Sequence, residues 1–65
     1  NFKENKELAA LDQQLPELEL KKEELEQQMT QEGADMTKLS LDLADLISRI
    51  EQAEERWLEL SELAP

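Results

Sequence analysis

Apolar residues recur along this chain in alternating steps of three and four, once before its only glycine, Gly33, and once after it. The first run is Leu8, Leu11, Leu15, Leu18, Leu25 and Met29, with Lys22 holding one place in the series. The second is Leu39, Leu43, Leu46, Ile50, Ala53, Trp57 and Leu60. Such steps average about 3.5 residues, the period of a heptad seam on one face of an α-helix. Paired about Gly33, the runs form seven layers: Met29 with Leu39, Leu25 with Leu43, Lys22 with Leu46, Leu18 with Ile50, Leu15 with Ala53, Leu11 with Trp57, and Leu8 with Leu60. The two residue numbers in every layer sum to 68. A constant sum is the condition for antiparallel helices, because each step down one arm must be matched by a step up the other. The pattern predicts an all-α fold: a two-helix antiparallel intramolecular coiled-coil hairpin over residues 1–65.

Helix signals place the ends. Asn1 is suited to cap the first helix, with Glu4 at the capping-box position three residues on. That helix is expected over about residues 1–32, ended by Gly33 in the left-handed region. A turn over about 33–35 then leads to Asp35, an N-cap whose charge suits the positive end of the helix dipole. The second helix is expected over about 36–63, with Pro65 beyond it. Within the first helix, Pro16 removes the hydrogen bond to the carbonyl of Asp12 and disfavours helical geometry at Leu15, at a cost of ~3 kcal/mol. A bend is therefore expected near Pro16, opposite Ala53, the smallest seam residue. It is either a tolerated kink or one that shapes a surface for a partner.

Lys22 stands where the seam otherwise takes leucine. Its stem can cover the seam while its ammonium reaches toward Glu19, Glu26, Asp42 or Asp45. We read it as register control, since one polar seam residue penalises slipped pairings. Leu20, Leu41 and Leu58 fall off the seam and Leu63 lies at its flank; Phe2, Leu58 and Leu63 gather at the open end.

Composition narrows the function classes. Seventeen carboxylates against seven cations leave a net charge of −10, which repels phosphate backbones and anionic lipids. With neither cysteine nor histidine, disulfides, thiolate chemistry and the usual zinc sites are excluded. A chain this short buries only roughly 60% of its unfolded surface, so a thick core is not available. No apolar run approaches the ~20 residues of a membrane span, and the first residues lack the order of a signal peptide, so a soluble, non-exported chain is expected. Acidic spacings such as Asp42 with Asp45, or Glu51 with Glu54 and Glu55, arise readily on an acidic helix. Two helices enclose no pocket in which water is excluded and a carboxyl pKa raised. No catalytic, cofactor or metal site is expected, and the segment itself is read as no enzyme. The candidate nucleic-acid contacts are Lys21, Lys22 and Arg49, a basic patch on the middle of the rod, and Lys38 nearer the tip.

Several of these residues also carry a family resemblance. Phe2-Lys3-Glu4, Glu7-Leu8, Leu11, Leu15-Pro16 and Leu18-Glu19, with Arg56-Trp57 and Glu59-Leu60, resemble the C-terminal coiled-coil domain of ABC-F ATPases of the Uup type. The most specific elements are the Leu-Pro inside the first heptad run and the Arg-Trp-x-Glu-Leu of the second; the connection at Gly33 is shorter than the family often has. The resemblance implies an appendage of a cytoplasmic protein whose upstream domains bind ATP and magnesium and hydrolyse the nucleotide. It implies ribosome association, and DNA binding to which this domain contributes. The charge argues against strong DNA binding by the domain alone.

Three readings follow. The first is a non-catalytic interaction arm contacting ribosome, tRNA or DNA. The second is a structural coiled coil for protein association, disfavoured if the isolated chain is a monomer, as expected. The third is a regulatory element folding back on the ATPase domains through Phe2, Leu58 and Leu63.

Overall fold

A computed structural model, which describes residues 1–63, contains two helices and, among the described residues, no strand. Helix α1 spans Phe2–Met29 and helix α2 spans Met36–Leu63, 28 residues each. The expected position of Pro65 lies outside the described residues. The helices pack side by side in a rod of 50 × 15 × 14 Å. Cross-helix bonds from Arg56 to Glu7 and from Trp57 to Asp12 join the last turns of α2 to the first turns of α1, so the arms run antiparallel.

Burial follows the seam. All fourteen heptad positions are buried or half-buried, whereas Leu20, Leu41, Leu58 and Leu63 are exposed. Leu11, Leu39, Leu46, Ile50 and Leu60 form the buried core, with Leu60 only 2% exposed. The other seam side chains stay half-exposed because a second helix covers a seam from one direction only. Leu46 is buried although the register sets Lys22 opposite it, and Lys22 is itself half-buried, as an aliphatic stem laid along the seam requires. Among the described residues the Lys22 ammonium forms no ion pair within 4 Å with Glu19, Glu26, Asp42 or Asp45, and the last of these binds Arg49.

At the start of α1, Asn1 Oδ1 accepts from the amide of Glu4 at 3.0 Å. At the start of α2, Asp35 Oδ1 accepts from the amide of Lys38 at 3.1 Å. The end of α1 differs from the sequence expectation: the helix stops at Met29, and the connection is residues 30–35 rather than 33–35. Thr30 is the cause. Its hydroxyl donates to the carbonyl of Gln27 at 2.7 Å, and the amides of Thr30 and Gln31 bond three residues back, to Gln27 and Gln28. A Thr side chain that competes for backbone carbonyls tightens the last turn and ends the α-pattern early. Gly33 then serves in a turn closed by Ala34 N–H and the carbonyl of Gln31, at φ 81°. A positive φ at the third residue of such a turn favours glycine.

Helix α1 continues through Pro16 with α-helix on both sides. The proline has no N–H to give the carbonyl of Asp12, so one rung of the backbone ladder is missing.

Leu60→Ala should lower stability by ~2–4 kcal/mol, as truncation of a buried leucine does, while Leu41→Ala stays within ~0.5 kcal/mol. Thermal melts followed by circular dichroism measure both. Gly33→Ala has open space around a new methyl group and so tests backbone strain alone, with an expected loss of about 1 kcal/mol.

Candidate functional site

The register divides the rod lengthwise into two unlike flanks. On one side of the seam stand Glu7, Lys21, Asp42, Arg49 and Arg56, with Lys3, Lys38 and Asp45 just outside them, so cations and carboxylates alternate. On the other side stand Asp12, Glu19, Glu26 and Glu54, with Pro16, Glu23, Glu51 and Leu58 outside them, and no Lys or Arg. Heptad geometry explains the split, because in antiparallel arms like flanking positions face each other across the seam.

The mixed flank is organised by Arg56. Its Nε and Nη2 donate to the two carboxylate oxygens of Glu7 at 2.7 and 2.9 Å, a two-pronged bond across the helices, and its Nη1 donates to Glu59 Oε2 at 2.9 Å. The planar guanidinium matches a carboxylate in this geometry. These bonds raise the pKa of Arg56 above its usual value. The hydrogen bond from Arg56 holds the Glu7 carboxyl below the usual carboxylate range, against a smaller opposing effect of desolvation. One layer along, Trp57 Nε1 donates to Asp12 Oδ1 at 2.6 Å, tying the indole of α2 to α1.

The sequence-predicted contacts lie toward the mixed flank. Lys21 and Arg49 are exposed and set at a similar height by the register, Lys22 sits half-buried in the seam beside them, and Lys38 lies about 16 Å farther along α2. Arg49 is held by Asp45 at 3.1 Å. The patch is therefore two exposed cations together, one recessed in the seam and one apart. Among the described residues no group of carboxylates is arranged to hold a metal ion, and no helix is long and apolar enough to cross a membrane.

On the acidic flank, an open groove of about 440 Å³ is lined by Asp12, Leu15, Pro16, Glu54, Trp57 and Leu58. Apolar periodicity singles out Leu15 and Trp57 but gives no sign of the groove. The signal available in the sequence was the coincidence of Pro16 with Ala53 and Trp57 across the seam, together with an off-seam Leu58.

Residues 1–62 match the family model described as ABC transporter C-terminal domain. The chain belongs to that family. The match spans both helices, including Pro16 and the Arg56-Trp57 pair of the ABC transporter C-terminal domain. Searches of curated proteins and of solved structures give no match to the chain.

The Glu7 bond predicts a pH signature. A carboxyl with a lowered folded-state pKa stabilises the fold above its unfolded pKa, and that contribution is lost as pH falls through the folded value. Wild type should therefore be more stable than Glu7→Gln at about pH 6, and the difference should shrink progressively below about pH 4.3. Parallel melts of the two proteins across that range measure it.

Proposed function

We propose that the hairpin is a non-catalytic interaction arm of a cytoplasmic ABC-F ATP-binding protein of the Uup type. It reaches from upstream ATP-hydrolysing domains, which hold the ATP and magnesium, to a ribosome, tRNA or DNA. The observation that carries this reading is shape: a family C-terminal domain folded as a rod 50 Å long and about 15 Å across has reach and surface. Residues behind the Uup resemblance support it by clustering in one half of the rod, with Arg56 on Glu7 and Trp57 on Asp12. Nucleic-acid contact would fall to Lys21, Lys22, Lys38 and Arg49. A net charge of −10 and the Asp45–Arg49 pair weaken that contact, since affinity for phosphate scales with the cations free to displace counterions.

A second reading is favoured by Phe2, Leu58 and Leu63, 80%, 54% and 65% exposed toward the end where both arms terminate. Such a root suits a regulatory fold-back onto the ATPase domains.

Deleting the hairpin from the full-length protein separates the two. The arm reading expects unchanged basal ATP turnover and loss of the increment produced by ribosomes or DNA. A changed basal rate with the increment intact would establish the fold-back and overturn the arm. For direct DNA contact, a salt-dependent titration of the 65-residue chain with duplex DNA decides, and no binding at low salt removes it. Sedimentation of the chain alone should give a monomer, and a stable dimer would favour a role in protein association.

A further inference from the structure

We propose that the groove beside Pro16 is a docking site for a cationic amphipathic protein segment. One large apolar side chain of that segment enters between Pro16, Trp57 and Leu58, and flanking lysines or arginines meet the carboxylates around it. The proposal rests on the reading of the hairpin as an interaction arm and adds the class of partner the arm takes.

The groove is built by the chain's own irregularities. The register pairs Leu15 with Ala53, which leaves the seam thin at that layer, and the Asp12 bond to Nε1 fixes the larger Trp57 one layer along. Pro16 presents its ring where another residue would carry a longer side chain, and it frees the carbonyl of Asp12 to accept a bond from outside. Leu58, 54% exposed, completes the apolar wall. A volume of about 440 Å³ lies in the range of sites that take a specific group.

Charge chooses the occupant. The flank that contains the groove carries Asp12, Glu19, Glu23, Glu26, Glu51 and Glu54, while the cations outside the seam sit toward the opposite flank or the outer face. A nucleic acid or an anionic membrane is repelled from this side. A second copy docking symmetrically, groove flank to groove flank, brings the same carboxylates and no cation from that flank to neutralise them. A basic segment with an apolar anchor satisfies both the charge and the groove, with the anchor supplying affinity and the charges orientation and on-rate.

Trp57, the only tryptophan, lines the groove and reports its occupancy. The test titrates the 65-residue chain with a synthetic leucine–lysine amphipathic helix, following Trp57 emission and heat of binding. Saturable one-to-one binding with a blue shift is expected, and replacing the peptide's leucines by serine should weaken it about tenfold. Neutralising the groove flank with Glu19→Gln, Glu51→Gln and Glu54→Gln should weaken binding about fivefold. The isoelectric set Glu17→Gln, Glu24→Gln and Asp42→Asn, on the other side, should change it less than about twofold. Equal weakening by both sets, undiminished binding of the serine peptide, an unmoved Trp57 emission or tighter binding of duplex DNA at the groove each overturns the proposal. If the peptide fails to bind while hairpin deletion still abolishes stimulation by ribosomes or DNA, the groove assignment falls and the arm reading stands. If the peptide binds and deletion has no effect, the arm reading falls.

Discussion

The structure depends on a single interface. Two helices side by side have one seam and no second layer, so every apolar residue that stabilises the fold must face the partner arm in the correct register. A slip of one residue would turn Leu11, Leu46, Ile50 and Leu60 away from their partners together. The constancy of the pairing from Leu8 and Leu60 at one end to Met29 and Leu39 at the other is therefore a condition of folding. Lys22 strengthens the condition, because its stem fits the seam only where its head can leave into water.

The seam was legible because hydrophobic burial is periodic, and a period survives in a sequence without coordinates. The caps at Asn1 and Asp35 were legible for a related reason: each is a local bond between a side chain and an amide three residues on. Gly33 does not mark the end of α1, because the Thr30 hydroxyl reaches back to Gln27 and closes the helix before Gly33 is reached. The Arg56–Glu7 fork and the Trp57–Asp12 bond are hidden in the apolar pattern for a different reason. They join residues more than forty positions apart, and their existence depends on which side of the seam each flanking residue occupies. That information is contained in the heptad assignment but not in the apolar pattern alone. The candidate contacts at Lys21, Lys22, Lys38 and Arg49 could be named from charge, but their dispersal over seam, flank and tip emerges only from the geometry.

The flanks show how an acidic rod acquires sidedness. Arg56 engages Glu7 and Glu59, and Arg49 engages Asp45, so both arginines are neutralised within the mixed flank. The opposite flank has no internal neutralisation. Among the described residues its carboxylates form no ion pair and only Asp12 bonds another side chain, that of Trp57, so the rod presents a graded field across its 15 Å width rather than a uniform one. An appendage with such a field has a preferred rotational setting against a charged surface, which a symmetric coiled coil lacks.

Phe2 and Leu63 leave the rod at the same end, and this fixes how the hairpin responds to load. Tension applied through those two ends does not shear the seam, where all layers would resist at once. It peels the arms apart successively, beginning near Leu8 and Leu60 and meeting the Arg56 fork and the indole bond to Asp12 as its first obstacles. The far tip, held by Gly33 and its turn, parts last. At each moment the load falls on the one layer at the opening fork and is not shared along the seam, however long the rod.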